Sequence, residues 1–421
     1  MGLAGTYTAL ARGTESIYWN PANLALRDSP KYSFPQLFGV NLIAENNSFS
    51  VSDYNKYNGE DIDAEASSDL LRKIPKEGMK LNTDVGVVVP ILNGMAFPMP
   101  WNLSSAIAFN VRTGFEGEMP KDMFALMLRG NEFGKEYDIA KWDGSGWGLV
   151  VFNWAAAKPW RPGRLKPYFD EFTVGGTFKV LGGAYTEVLR SEGGFVTLPD
   201  GVDVSASATA RGGGGWGLGL DLGAAGVTKD RKTTFSAALV NFFDFVSWSI
   251  EPKQHKVFVT ADNLRVTRFT GTGDIEEVLD NPRNEKGEVV LDEKVPIESF
   301  RKSLPAMLRI GAAHQYQPKL IVAANYDQAF SSGFGISAVP KVSVGLEYTL
   351  VDWFPVRFGL SAGGRGGMSS AIGFAIGPFA LGRVRLTVLE FSTANRGGFL
   401  PGLAKGTGLS LNLLQVRVMR I

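Results

Sequence analysis

Trp216-Gly217-Leu218-Gly219-Leu220-Asp221-Leu222-Gly223 is the stretch that decides the fold. Every second residue is large and apolar, and the residues between are glycine or a lone aspartate. Side chains of an extended strand point alternately to opposite faces, so one face is oily and the other nearly bare backbone. The pattern recurs outward in both directions. Val202, Val204, Ala206, Ala208 and Ala210 alternate with Asp203, Ser205, Ser207, Thr209 and Arg211. Val342, Val344, Leu346 and Tyr348 alternate with Ser343, Gly345, Glu347 and Thr349, and Val356, Phe358 and Leu360 with Arg357, Gly359 and Ser361. About fourteen such strands are expected, within a range of 12–16.

The polar face is small and neutral, made of Gly, Ser, Thr and Ala more than Lys and Glu. A strand facing bulk water on that side usually carries more charge. Tryptophans fall at strand ends, at Trp101, Trp142, Trp147, Trp154, Trp160, Trp216, Trp248 and Trp353, which matches an interfacial girdle. Short breakers such as Gln317-Pro318 and 228–231 separate some strands. Long connections are expected at 56–77, 116–143, 183–201, 248–304 and 392–406. These features favour an all-β chain folded as a transmembrane antiparallel β-barrel over a soluble sandwich.

Composition narrows the chemistry. The 421 residues include 51 glycines, well above the usual roughly 7%. With no cysteine there is no disulfide, no cysteine-based zinc site and no thiol nucleophile. The 43 basic and 42 acidic side chains nearly cancel, which gives no global attraction to nucleic acid. No apolar run reaches the roughly 18 residues of a membrane helix. No signal peptide is visible, so an exported chain is expected to be a mature or trimmed form.

Two helices are expected in the connections. One covers 61–74, acidic at its start, basic at its end and stopped by Pro75. The other covers 120–130, between Pro120 and Gly130. Its Met123, Phe124, Leu126 and Met127 are a candidate greasy groove for an apolar ligand.

Residues 2–26 read GLAGTYTALARGTESIYWNPANLAL. This opening resembles that of the long-chain fatty acid transporter (FadL-like) outer-membrane family, including its secretion-shuttle (PorV-like) relatives. A Gly/Ala-rich run leads through a polar step to Trp19-Asn20-Pro21-Ala22. The glycine-rich 215–223 stretch and Gly345-Leu346-Glu347-Tyr348 are also similar. The resemblance implies a fourteen-stranded barrel over 31–421, with residues 1–30 folded inside its lumen as a hatch. A non-strand segment is tolerated at membrane depth only when protein encloses it. Gly217, Gly219 and Gly223 are expected to let the hatch approach the wall. The last strand changes phase near 413–414, which suggests a bulge, and it ends in Ile421 where an aromatic residue is usual.

Several motifs tempt toward other chemistry. Gly359-Leu360-Ser361-Ala362-Gly363 has the nucleophile-elbow spacing but sits in an alternating strand, with no later histidine. Gly212, Gly214 and Gly217 match a dinucleotide fingerprint but open a strand, not a helix. His255 and His314 lack ligand spacing. The acid-rich 274–293 segment lacks the calcium-loop pattern. No catalytic residue, metal site or cofactor is therefore expected.

The lumen face is expected to hold Arg112, Asp221, Arg309, Glu347, Arg357, Arg383 and Arg385. Its mild basic excess suits a carboxylate-headed amphiphile, and Glu347 and Arg357 are placed to pair. The reading is a bacterial outer-membrane barrel in contact with outer-membrane lipid, giving passive transport of hydrophobic, fatty-acid-like small molecules. The alternative is a non-transporting barrel that docks a secreted or envelope protein.

Overall fold

Strands with one oily and one small face bury nothing as an open sheet, but lipid outside and an enclosed segment inside would serve both faces of a closed one. The computed structural model describes residues 1–88, 94–199, 201–264 and 289–420. Fourteen antiparallel strands form the wall: β1 Phe38–Asn46, β2 Met79–Val88, β3 Leu103–Met119, β4 Asp143–Pro159, β5 Phe169–Leu198, β6 Gly201–Thr228, β7 Thr233–Leu264, β8 Met307–Gln317, β9 Leu320–Ala329, β10 Lys341–Val351, β11 Phe354–Gly363, β12 Ser369–Ile376, β13 Val384–Arg396 and β14 Gly406–Val418. Each pairs with the next, and β14 returns to pair with β1 from Phe38↔Leu413 to Glu45↔Gly406, so no edge is left open.

The outer face is the apolar set. Val342, Val344, Leu346, Ile310 and Ile372 are exposed on it, while Ser343, Ser361 and Ser392 on the other face are buried. No helix among the described residues is long and apolar enough to cross a membrane, which leaves the strands untouched as candidates. Trp154, Trp216 and Trp353 are exposed on the outside, but Trp147 and Trp248 are buried within the barrel and are not part of a girdle.

Three strands are much longer than the rest. β5, β6 and β7 run for 30, 28 and 32 residues, against about 9–11 needed to cross a bilayer. The 183–201 stretch is thus not a long loop: β5 continues to Leu198 and β6 starts at Gly201. Likewise 248–264 continues β7, and Lys253–Thr260 pairs with Val289–Pro296. The segment 265–288, which includes most of the acid-rich stretch, lies outside the described residues, as does Ile421.

The phase change in the last strand falls at Leu414, whose φ is +52°. Val388 on β13 is passed over opposite it, so the ladder keeps its register on both sides.

Helix α1 is Ser16–Trp19, in the N-terminal segment. The β1–β2 connection carries α2 Val51–Tyr57 and α3 Ala64–Lys73. Asp63 caps α3 by accepting from the Ala66 N–H at 2.8 Å, and Ser50 and Asp53 form a capping box on α2. Helix α4, Lys121–Arg129, ends where Gly130 takes φ +74°. The candidate groove on α4 is corrected by its packing. Phe124 and Leu126 sit against a core made by Leu71 of α3 and Ile74 just after it, with Ala125 and Tyr137, whereas Met127 is exposed. Met123, partly exposed, begins the turn that fixes the helix start. These four residues do not form one open face.

Candidate functional site

The N-terminal segment runs around the inner wall rather than across it. Six glycines, one per strand, mark its path in chain order. Gly373 on β12 faces Gly2; Gly359 on β11 faces Leu3 and Ala4; Gly345 on β10 faces Leu3 and Thr6; Gly311 on β8 faces Thr8 and Ala9; Gly223 on β6 faces Asn20 and Pro21; Gly175 on β5 faces Ala22. A Cβ on Gly359 would stand 2.6 Å from the Ala4 nitrogen, and one on Gly175 would stand 2.9 Å from that of Ala22. Both are closer than real Cβ contacts allow, so backbone can lie on backbone only because these wall residues lack a side chain. Alanines continue the path: Ile17 and Leu24 pack on Ala106, Ala108, Ala155 and Ala157 of β3 and β4. The chain then rejoins the wall, with Tyr32–Ser33 pairing with β14. Of the three glycines expected to admit the segment, Gly223 does so. Gly217 and Gly219 instead face Leu181, Val246, Lys179 and Asp244 within the wall.

The Trp19-Asn20-Pro21-Ala22 motif is the tightest point of contact. Asn20 is fully buried. Its Nδ2 donates to the Ala224 carbonyl at 2.9 Å and the Ala237 carbonyl at 3.3 Å, and its Oδ1 accepts from the Ala22 N–H at 3.0 Å. One amide thus joins β6, β7 and the first turn of the 3₁₀ helix Pro21–Ala25, which Pro21 starts without a missing donor. The Ala22 carbonyl accepts from the Thr173 hydroxyl at 2.9 Å. Trp19 lies under the Arg309 guanidinium, 4.8 Å from the ring centre, and Arg309 also donates to the Tyr18 carbonyl at 2.7 Å.

Sequence reading missed Asn23. Its Nδ2 donates to the Thr8 and Ala11 carbonyls, and its Oδ1 accepts from the Ser236 hydroxyl. The asparagine three residues after Asn20 was the available signal.

The inward-facing charges form separate networks. Arg357 contacts Glu347 at 2.6 Å and Glu390 at 2.8 Å. Glu347 and Arg357 are direct cross-strand partners. Arg112 pairs with Asp84, and Asp221 with Lys179 at 2.7 Å. Asp221 also accepts from the backbone of Asn241, turned inward at a bulge in β7. Glu45, buried, is gripped by Arg365 at 2.5 Å and by Arg396. Arg383 and Arg385 join none of these. Gly382 ends the alternation they were read from: Arg383 is exposed in the turn, and Arg385 folds back onto the Gly382 and Val384 carbonyls.

Two cavities lie beside the N-terminal segment and the β9–β10 loop. The inner one, about 520 Å³, lies between the N-terminal segment and β1–β3 and β10–β14. It is lined by apolar Leu3, Ile43 and Val88, and by cationic Arg357, Arg396 and Lys341. The Lys341 ammonium has no hydrogen bond or ion pair among the described residues and lies under Gly5. The outer cavity, also about 520 Å³, is bounded by Glu45, Glu116, Arg365 and the β9–β10 loop. Ser361 lines the inner cavity from mid-strand, with no helix after it to make a nucleophile elbow.

Beyond the wall, Asp69 on α3 accepts from the Tyr57 hydroxyl at 2.6 Å and contacts Lys73 at 3.3 Å. Those two hydrogen bonds hold its carboxyl down to about 2. Burial pushes Asp53 up, but bonds from Lys73 and Ser50 outweigh it and leave its pKa below the ordinary value.

A closed fourteen-stranded barrel with its N-terminal segment wound inside is a FadL-like fold. It superimposes on a FadL homologue from Pseudomonas aeruginosa with a TM-score of 0.55 at 12% identity, over 99% of this chain and 96% of that one. It likewise matches the CymD monoaromatic hydrocarbon channel with a TM-score of 0.50 at 10% identity, over 100% and 96%. The chain belongs to a family of unknown function (DUF5723), whose model matches residues 21–211 and 200–383. No curated protein matches it.

Proposed function

We propose that this chain is a bacterial outer-membrane barrel through which hydrophobic small molecules, fatty-acid-like ones with an anionic head, pass by diffusion, with residues 1–30 as the hatch. The inner cavity carries this reading. Its volume is in the range of small-molecule sites, and its lining combines apolar side chains with the unpaired Lys341 ammonium. An alkyl chain would lie along Leu3, Ile43 and Val88 while a carboxylate meets Lys341. The apolar outer face fits lipid, and the fold shared with a FadL homologue and a hydrocarbon channel supports passage of oily compounds.

The test is purification in a detergent exchanged to remove bulk lipid, followed by solvent extraction and mass spectrometry. Long-chain carboxylic acids are expected with the native chain and strongly depleted in Lys341→Ala. Reproducible absence of any apolar acid, with a stoichiometric protein co-purifying instead, would replace transport by docking of a secreted or envelope protein.

A further inference from the structure

The β9–β10 connection does not stay at the rim; it folds into the barrel. Gly333 and Ile336 exchange backbone hydrogen bonds at 3.0 and 2.9 Å, and the two residues between them, Phe334 and Gly335, both have positive φ, +52° and +74°. This is the geometry of a primed two-residue hairpin turn, which favours Asn or Gly at its first central position. Phenylalanine is an unusual occupant, because a Cβ there crowds the backbone. The arrangement places that ring at the tip of the turn.

Phe334 is 1% exposed and sits in a box on the opposite wall. Tyr185 lies 4.9 Å from its ring centre, Trp147 5.8 Å and edge-on, and Trp248 6.4 Å and nearly parallel; Phe300 stacks on Trp248. These residues come from β4, β5, β7 and the approach to β8. Next to it, a Cβ on Gly335 would touch Asp84, Arg112 and Arg365, and the Gly335 N–H reaches the Glu116 carboxylate. The turn therefore spans the lumen from β4–β7 to β2–β3. Gly335 thus stands between groups of both cavities: Asp84 and Arg112 line the inner one and Arg365 the outer one, alongside Ile336 and Ser337 of the loop itself.

We propose that the aromatic box is a ligand-binding site that the protein's own Phe334 occupies at rest, and that a flat apolar ring entering the box expels Phe334 and joins the outer cavity to the inner one. The box holds a ring by stacking and edge-to-face contact, which any planar ring of similar size can supply. The Trp147 indole N–H is buried without a hydrogen-bond partner among the described residues, a donor that an all-carbon side chain leaves unused. The gate rests on the passage reading above for its purpose, but not for its test.

The chain has no cysteine, so a single Ser361→Cys places one thiol in the inner cavity. Its reaction with aminoethyl methanethiosulfonate, added outside intact cells, reports whether the cavities communicate. Phe334→Ala is expected to speed labelling at least tenfold, and 2-naphthol to speed it in the native loop but not in Phe334→Ala. Heat-modifiable migration confirms the fold. If Phe334→Ala does not fold, Trp248→Ala removes one wall of the box and leaves the loop sequence unchanged, and it carries the same expectation. Labelling within twofold of the parent in a folded variant overturns the gate. Failure of 2-naphthol to speed the parent overturns ligand displacement. If labelling behaves as stated while no apolar acid co-purifies with the native chain, the gate stands and the fatty-acid reading falls.

Discussion

Replacing Asn20 with alanine tests whether the hatch is held by one side chain. The amide makes two donations to wall carbonyls and one acceptance from the Ala22 N–H, all in a fully buried position. Losing a helix-start cap costs about 1 kcal/mol, and each buried group left without a partner costs about 1–3 kcal/mol. Not every orphaned group bears the full cost, because a shifted hatch admits water, so about 2–4 kcal/mol is expected for docking of residues 16–25. That is roughly a 30- to 700-fold rise in the undocked population. Hydrogen exchange read by mass spectrometry reports it through the amides of Asn20, Ala22, Asn23 and Leu26, which are bonded within the segment. Their exchange should accelerate by that factor, while amides of β8–β14 stay as protected as in the parent. Unchanged protection at 16–25 in a folded Asn20→Ala barrel would refute the pinning role. Equal acceleration around the whole wall would show that hatch and barrel are one cooperative unit.

Other outcomes follow from the same geometry. Gly359→Ala puts a methyl group into the Leu3–Ala4 backbone, so residues 1–8 should become sensitive to protease in folded barrels while 20–26 remain protected. Glu45→Gln leaves Arg365 and Arg396 facing each other without their shared carboxylate; losing one partner of a buried charge cluster costs about 3–5 kcal/mol, and exchange at the β13–β14 connection should rise accordingly. Acid should release α2 from α3. Asp69 and Asp53 have folded pKa values below their unfolded ones, so their contribution is complete above about pH 4 and fades as pH falls toward 2. Tyr57 fluorescence in a variant lacking the other mouth-loop aromatics should follow that window, and a flat response from pH 5 to 2 would contradict it.

The strand alternation was readable because each lipid-facing position must be apolar and each lumen-facing one small. That signal vanishes where both faces are wet. Residues 183–201 break the alternation with Gly183, Gly193 and Gly194 and with charged Glu187, Arg190 and Glu192, so the upper half of β5 reads as a loop although it pairs with β6 as far as Leu198. The hatch motif was legible from Asn20, Pro21 and the glycine-rich wall. Its circular path was not: a glycine that admits backbone, like Gly223, and one that only eases wall packing, like Gly217, look alike in sequence. Arg383 and Arg385 were misplaced because alternation was carried past Gly382 into a turn. Trp147 and Trp248 read as girdle because tryptophan at a strand end does not reveal which face it takes. Phe334 lay in Ser332-Gly333-Phe334-Gly335, which reads as loop. The available signal was a large aromatic between two glycines, where a solvated turn has no use for one.

The long strands gain a reason once both closures are placed on them. The lower parts of β5, β6 and β7 carry the hatch, through Gly175, Gly223 and Ser236. The upper parts of β5 and β7 carry the Phe334 box, through Tyr185 and Trp248. From Ala238, paired with Gly223, to Trp248 is ten residues, roughly 30 Å of extended chain. Within that interval β7 shifts register twice, at Leu239/Phe243 and Ser247/Ile250, and the first shift turns Asn241 inward to bond Lys179 and the Pro305 carbonyl. A strand that bends at bulges while keeping its neighbours can present one face to the hatch below and another to the loop above. The two barriers are thus seated on one continuous sheet. Movement of the hatch would reach the Phe334 box through the β7 bulges before it reached the far wall, where β8–β11 pair without such interruptions over 307–315, 320–327, 341–349 and 355–363.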